Sequence, residues 1–379
     1  MKIGILTQPL YNNYGGLLQN YALQHILIKE GYEVETFDQP VNVFNFKEKV
    51  YGKLSPLLHI VHPSKYKRAV SKVERAETLK YTNKFICKYL HRTKKISDRK
   101  SFRAILDSNK YDALVVGSDQ CWRPKYNRFH TAMFLDFAND RKDLKRIAYA
   151  ASFGTDNWEY SQELTSLCAE LVSHFDLVTV REDSAVDLCK RYLKTEAKHV
   201  LDPTMLLSKE DYVRLVEQEN EPKSQGNLFY YILDPSEKNS VFIEWAAKQL
   251  SLESFKIMPE VTSRMCTKDD VKNRMEACIY PSVTAWLRSF MDAEMVICDS
   301  FHGCVFSIIF NKPFWVLGNK GRGNARFSSL LKLFNLEDRF VDARSQIDLE
   351  KKINWNSVNA ILDEEREYSR TLLLDALKS

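Results

Sequence analysis

Three short runs in this 379-residue chain combine side chains able to do chemistry with the places in a fold where chemistry is done. In Met295–Phe306 an apolar stretch turns polar over Asp299-Ser300-Phe301-His302-Gly303 and then becomes apolar again, as a strand does when it passes into a helix. The N–H groups at such a helix start, from Ser300 to Gly303, can receive a phosphate, and the His302 imidazole beside them can carry protons near neutral pH. A second run, Val116-Gly117-Ser118-Asp119-Gln120-Cys121-Trp122, ends an apolar segment with several hydrogen-bonding groups and an indole. Ser118, Gln120 and Trp122 would suit a sugar, whose hydroxyls need partners and whose C–H face needs an apolar platform. They suit a helix cap and a core tryptophan equally well. In the third run, Asn12-Asn13-Tyr14-Gly15-Gly16, two glycines ahead of a helix allow close backbone approach to a ligand, or form a plain turn. If His302 is only a phosphate cradle, Asp119 and Asp299 are the carboxylates at hand to act as base.

Elements that would position these runs alternate between strand and helix. Apolar runs at Lys2–Thr7, Glu33–Phe37, Tyr111–Val116, Arg146–Ala151, Leu177–Val180 and His199–Leu201 read as strands. Between them, helical patterns run from Leu17 to Glu30, with Leu18, Tyr21, Ala22, His25 and Ile26 on one stripe, and over Ser161–Ser173 and Ser184–Leu193. The polar stretch Ser208–Gly226 reads as a junction. A second series follows, with strands at Leu228–Leu233, Ser254–Met258, Met295–Cys298 and Phe314–Leu317 and helices at Val241–Leu250, Val283–Asp292, His302–Phe310 and Ala325–Phe334. The expected fold is α/β: two Rossmann-like domains facing across a cleft, a GT-B-like arrangement with ligands between the strand ends. Residues 1–207 form the first domain, with a basic helical insertion at about 48–103, and residues 208–379 form the second. The helical tail from Ser357 to Leu377 is expected to pack back on the first domain.

Composition narrows the class. With 44% hydrophobic and 28% charged residues the chain reads as an ordinary globular protein. Its opening apolar run is too short for a signal-peptide core, and no stretch approaches the ~20 apolar residues of a membrane span, so a cytoplasmic protein is expected. The eight cysteines are scattered without metal-ligand spacing and suit reduced, structural roles. Neither they nor any Asp-x-Asp motif suggest a metal, and none is expected. The net charge of +5 is concentrated: residues 65–103 hold 14 basic and 3 acidic residues. This segment is either a solvated helix face or a contact for acceptor phosphates and the inner face of the plasma membrane. Nucleic acid is not expected, since Tyr81, Phe85 and Tyr89 recur at a helix-packing spacing and no recognition motif accompanies them.

Read together, the motifs become specific. Asn13–Gly16 with Leu17-Leu18-Gln19, Gly117–Trp122, Phe153-Gly154, Val180-Arg181-Glu182-Asp183-Ser184, Leu201-Asp202-Pro203-Thr204 and Asp299–Gly303 come in one order. Lys312-Pro313-Phe314 and Arg326-Phe327-Ser328-Ser329-Leu330-Leu331 continue it. Over about residues 1 to 340 the chain resembles the polysaccharide pyruvyl transferase family. That resemblance implies transfer of pyruvate from phosphoenolpyruvate, as donor substrate and without a cofactor, to two hydroxyls of a hexose. The acceptor would be a cell-surface polysaccharide or its lipid-linked precursor. His302 matches the family's histidine, acting on an acceptor hydroxyl or on the leaving phosphate. Arg181 matches a basic residue that holds donor charge, and a further donor contact is expected from Lys320, Arg322 or Arg326. One departure stands out: better-characterised branches resemble Arg-Leu-His-Gly where this chain has Ser300-Phe301-His302-Gly303. Either one of those three cations replaces the missing arginine, or the donor differs. The competing readings are a GT-B-type glycosyltransferase using a nucleotide-sugar donor, with Glu276, Tyr280 and Trp286 available to it, and a catalytically silent sugar-binding protein.

Overall fold

The computed structural model describes residues 1–40, 70, 72–262, 266–318, 324–341, 347–349 and 351–378. The chain opens with β1 (Lys2–Leu6), turns into α1 (Tyr14–Lys29) and returns as β2 (Glu33–Thr36) parallel to β1. The basic segment, where described, forms α2 (Lys72–Thr78), α3 (Lys80–Tyr89) and α4 (Arg99–Ser108), the last capped by Asp98 through the Ser101 N–H. The rest of the expected 48–103 insertion, residues 48–69 and 71, lies outside the described residues. Then come β3 (Ala113–Val116), β4 (Lys145–Ala151), α5 (Gln162–Val172), β5 (Leu177–Val180), α6 (Asp183–Leu188) and β6 (Lys198–His199). These strands form one parallel sheet in the order β2-β1-β3-β4-β5-β6. All four residues of β3 are buried, as a central parallel strand covered on both faces requires.

The polar junction expected at 208–226 contains a helix instead, α7 (Lys209–Gln218). Ser208 accepts from the Asp211 N–H while the Asp211 carboxylate accepts from the Ser208 N–H, a capping box that starts the helix without apolar help. The second series consists of β7 (Leu228–Tyr231), α8 (Glu237–Leu250), β8 (Ser254–Phe255), α9 (Lys268–Arg274), α10 (Val283–Asp292) and β9 (Met295–Cys298). It continues with α11 (Phe301–Ile309), β10 (Phe314–Leu317), α12 (Ala325–Leu333), β11 (Phe340–Val341) and α13 (Trp355–Lys378). Its sheet is parallel in the order β11-β10-β9-β7-β8. In both sheets the order reverses beside the first strand, between β1 and β3 and between β7 and β9. Loops leaving the carboxyl ends of strands at such a reversal diverge, and the space between them is where α/β sheets bind ligands.

A single apolar cluster joins the two halves, running from Ile3, Ile5 and Leu18 to Phe229, Trp286 and Phe306. Helix α1 lies inside it and buries most of its surface: of the expected stripe Leu18, Ala22 and Ile26 are buried, whereas Tyr21 and His25 are half-buried and lie on the edge that ends in exposed Ile28. One reason is that it meets both domains: the Tyr14 ring stacks on Trp286 at 5.8 Å, and its hydroxyl donates to the Pro281 carbonyl at 3.0 Å. The glutamines that α1 buries have partners, and Asn20 Oδ1 accepts the Thr36 hydroxyl while its Nδ2 meets no partner among the described residues. Gln24 Nε2 donates to Thr36 Oγ1 and the His91 carbonyl, and Gln19 Nε2 to Thr7 Oγ1, which removes the penalty for burying an unmet amide. The last helix, α13, lies against first-domain backbone: Arg366 Nε donates to the Met205 carbonyl, the Leu201 N–H donates to Ser369 Oγ, and Arg370 pairs with Glu30. Among the described residues no helix is long and apolar enough to cross a membrane. All eight cysteines are unpaired.

Candidate functional site

The reversal points of the two sheets meet, and His302 is where they touch. It occupies the first turn of α11, just beyond β9, and lies directly against Gly15 at the start of α1. A Cβ on Gly15 would stand 2.1 Å from both Cγ and Nδ1 of the ring. The bare backbone there therefore seats an imidazole from the other domain. His302 Nε2 is buried and has no hydrogen-bond partner among the described residues; the Asp202 carboxylate stands 3.6 Å away, beyond hydrogen-bond range but well within Coulombic reach.

Asp202 is the centre of the arrangement. One carboxylate oxygen accepts from the Thr204 N–H and hydroxyl at 3.0 and 2.7 Å. The other accepts from Arg181 Nη1 at 2.8 Å and Ser118 Oγ at 3.1 Å, and faces His302. Arg181, whose side chain is 1% exposed, reaches Asp119 through Nη2 at 3.4 Å and Glu182 through Nε at 3.3 Å. Its guanidinium lies 4.1 Å from the centroid of Phe301, the residue preceding the histidine. Asn13 Nδ2 donates to Asp119 at 3.2 Å, and Arg326 approaches Phe301 at 6.0 Å. Residues from 13 to 326 are thus gathered by two sheets into one cluster.

Burial sharpens the electrostatics. Desolvation pushes the Asp202 carboxyl up, but His302 and Arg181 outweigh it and hold the group well below the usual carboxylate range. Asp119 behaves alike: burial raises it, and Arg181, His302 and Arg326 together bring it below its ordinary value. Burial pulls Arg181 down, yet Glu182, Asp202 and Asp119 raise it above the ordinary arginine value. Arg326, buried beside the Arg181 charge, is lowered to about 10 and still carries its proton at neutral pH.

Several expected site residues do other work. Trp122 is fully buried, stacked on Phe134 at 4.9 Å with Nε1 donating to the Met133 carbonyl, so it offers no platform to a sugar. Tyr14 is equally buried, and Gly16 packs against Asn13. Ser118 faces inward and donates to the Ala150 carbonyl as well as to Asp202, while the half-buried Gln120 accepts from Arg123. Both Asp299 oxygens accept backbone N–H groups, from Leu233 and Asp234, which ties the end of β7 to the end of β9. Ser300 caps α11 by accepting the Gly303 N–H, so that N–H is already taken. Gly303 is required by packing, since a Cβ would lie 2.8 Å from Cys298 Cβ. Arg181 has each nitrogen committed to a carboxylate, a disposition that makes it a structural hub more than a free donor contact. Lys320 and Arg322 lie outside the described residues. Neither aromatic considered for a nucleotide base is open: Trp286 is fully buried and Tyr280 nearly so. Conversely, Asp202, Glu182 and Phe301 were not singled out by sequence reasoning. Their signal was a charged or aromatic residue directly after a buried strand, inside motifs already noted.

Comparison with known proteins follows the same line. A model of the family described as polysaccharide pyruvyl transferase matches residues 13–321. No curated protein matches the chain. Among solved structures, UDP-GlcNAc 2-epimerase from Methanocaldococcus jannaschii superposes with a TM-score of 0.55 at 12% identity, covering 99% of this chain and 100% of that one. The UDP-GlcNAc 2-epimerase from Neisseria meningitidis, bound to UDP-GlcNAc, gives 0.46 at 11% identity over 98% and 94%. Arabidopsis thaliana UGT89C1 complexed with UDP-L-rhamnose gives 0.45 at 10% over 99% and 93%. The fold is GT-B-like, two parallel-sheet α/β domains face to face.

Proposed function

The chain belongs to the polysaccharide pyruvyl transferase family, and from that premise we propose that it forms a pyruvyl ketal on a hexose of a surface polysaccharide or its lipid-linked precursor, with phosphoenolpyruvate as donor. In that reaction two acceptor hydroxyls add to the donor's central carbon, two C–O bonds form, and the bond from that carbon to the phosphate oxygen breaks. One hydroxyl proton is matched by the proton gained at the methylene carbon, which becomes a methyl group. The other leaves with phosphate. The proton traffic needs a group that can both take and give, and the imidazole of His302 is assigned to it.

The observation that carries this reading is His302 Nε2: a buried ring nitrogen without a hydrogen bond among the described residues, brought by one domain into the carboxylate–guanidinium cluster of the other. Asp202 is assigned the positioning of that ring, since its own place is fixed by Thr204, Ser118 and Arg181. The cluster holds three carboxylates, Asp119, Glu182 and Asp202, against the guanidiniums of Arg181 and Arg326, so it has no surplus of positive charge for a donor bearing phosphate and carboxylate. The donor's charge is therefore assigned to Arg326 together with Lys320 or Arg322, which fall between β10 and α12 in sequence. Burial of Trp286 and Tyr280 disfavours the nucleotide-sugar alternative.

The test is phosphate release from phosphoenolpyruvate in the presence of hexose acceptors, with the ketal methyl signal followed by NMR. His302→Ala should lower turnover by about 10²–10⁴, the range for a general acid–base group, with modest loss of donor binding. Consumption of a nucleotide sugar with no phosphate released from phosphoenolpyruvate would replace this reading by glycosyl transfer.

A further inference from the structure

Elsewhere along the seam between the domains lies a recess of about 570 Å³, within the ~300–1,000 Å³ of small-ligand sites. Its walls come from both domains. Helix α3 supplies Lys80, Tyr81 and Lys84, and the first turn of α10 with the segment before it supplies Pro281 to Ala285. Helix α10 runs into β9 in a parallel sheet, so its start lies at the strands' carboxyl ends, the edge from which the His302 loop also leaves. Pro281 connects the two places: its carbonyl accepts the Tyr14 hydroxyl, and Tyr14 adjoins the glycine that seats His302.

The charges in the recess decide what it can hold. Glu219, Glu221 and Glu276 line the recess together with Lys80 and Lys84, and Lys88 also pairs with Glu219. Lys84 is already paired with Glu219 at 2.8 Å, and Lys80 with Glu77 at 2.9 Å. The start of α10, which would otherwise attract an anion, has its own: Glu221 accepts the hydroxyls of Ser282 and Thr284, both at 2.7 Å. The lysines at the recess are thus already committed to carboxylates, which leaves a phosphate or a lipid headgroup without a cation to bind. Carboxylates beside an aromatic ring are instead what a neutral sugar asks for, hydroxyls donating to oxygen and the C–H face lying on the ring. Tyr81 is 43% exposed, with Lys80 Nζ 5.3 Å from its centroid on one face, and Glu276 is exposed at the rim.

We propose that this recess is a saccharide subsite, taking an uncharged sugar unit of the acceptor other than the one modified at His302. The acceptor would then be an oligosaccharide whose second unit is recognised on Tyr81 and Glu276. The inference rests on the reading that the acceptor is a saccharide, but its test does not require the transfer reaction.

The experiment titrates the full chain, without donor, with maltotriose, mannotriose and β-1,4-galactotriose and with the matching monosaccharides, using calorimetry and saturation-transfer NMR. At least one trisaccharide should bind tenfold or more tightly than its monosaccharide. Tyr81→Ala should weaken that binding about tenfold, as loss of an aromatic anchor does, and Glu276→Gln several-fold. Tyr368→Ala, which removes an equally exposed tyrosine on α13, should leave it unchanged. The proposal is overturned if no trisaccharide outbinds its monosaccharide, if Tyr81→Ala binds as tightly as the native protein, or if glucose 1-phosphate outcompetes the neutral sugars in the recess. Because no donor is present, failure of phosphoenolpyruvate to react leaves this result standing, and the reverse holds as well.

Discussion

Replacing Arg181 by methionine removes one charge and leaves three carboxylates behind. The side chain is 1% exposed, and its nitrogens stand 2.8, 3.3 and 3.4 Å from Asp202, Glu182 and Asp119. Breaking a buried ion pair from one side costs about 3–5 kcal/mol, because the partner charge stays buried without compensation. With three partners stranded, the expected loss lies at the upper end of that range at pH 7, read from the urea midpoint and slope by tryptophan fluorescence. The pH dependence follows from the signs. In the native protein the Asp202 and Asp119 carboxyls lie below their ordinary values, so the stability they bring is complete above about pH 4, the unfolded carboxylate range, and is lost as pH falls through their folded values. Without Arg181 both carboxyls lose one of the charges that offset their burial. That leaves His302 for Asp202 and His302 with Arg326 for Asp119, so both shift upward and the variant is penalised more as pH rises. The gap between native and Arg181→Met should therefore be wide at pH 8 and should shrink towards pH 4.5. Arg181→Lys, which keeps the charge but not the fork, should recover part of the loss. A destabilisation under about 1 kcal/mol at pH 7, or an equal gap at both pH values, would refute the hub argument and return Arg181 to the role of a donor ligand.

Gly15→Ala places a methyl group 2.1 Å from the His302 ring and should cut turnover at least a hundredfold while far-UV circular dichroism stays native; unchanged turnover would mean that His302 sits elsewhere in the working enzyme. Chelation with EDTA should leave phosphate release from phosphoenolpyruvate unaltered, since Arg, Lys and helix starts can hold the donor; loss of activity restored by magnesium would contradict this. Within the basic segment, Lys84 and Lys88 pair with Glu219 and Arg92 with Asp38, so the exposed Lys94 and Lys95 are the better test of membrane contact. Reversing both to glutamate should weaken binding to phosphatidylglycerol vesicles by about tenfold or more, on the order of 1 kcal/mol per lysine; equal vesicle binding would leave the segment a solvated helix face.

Much of the fold was legible because a parallel strand buried on both faces must be a short apolar run. Leu177–Val180, Met295–Cys298 and Phe314–Leu317 are strands with the bounds their apolar runs suggest. The capping residues Ser208 and Asp211 were also in plain view, but composition over 208–226 masked the helix they start. The chemistry-bearing runs were visible for a related reason, since an apolar strand that ends in polar residues marks a carboxyl end. Periodicity cannot tell which way those polar residues face. Trp122 and Asp119 are three positions apart, yet one packs on Phe134 inside the first domain and the other meets Arg181 beneath His302. That choice belongs to the tertiary packing of the first domain. Gly15, Asp119, Arg181, Asp202 and His302 come from five separate parts of the chain, and no local rule relates them. They converge because both sheets reverse strand order beside their first strand and the two reversals abut. Only that juxtaposition seats an imidazole on a glycine from the other domain and brings it against a first-domain cluster in which one guanidinium stands among three carboxylates.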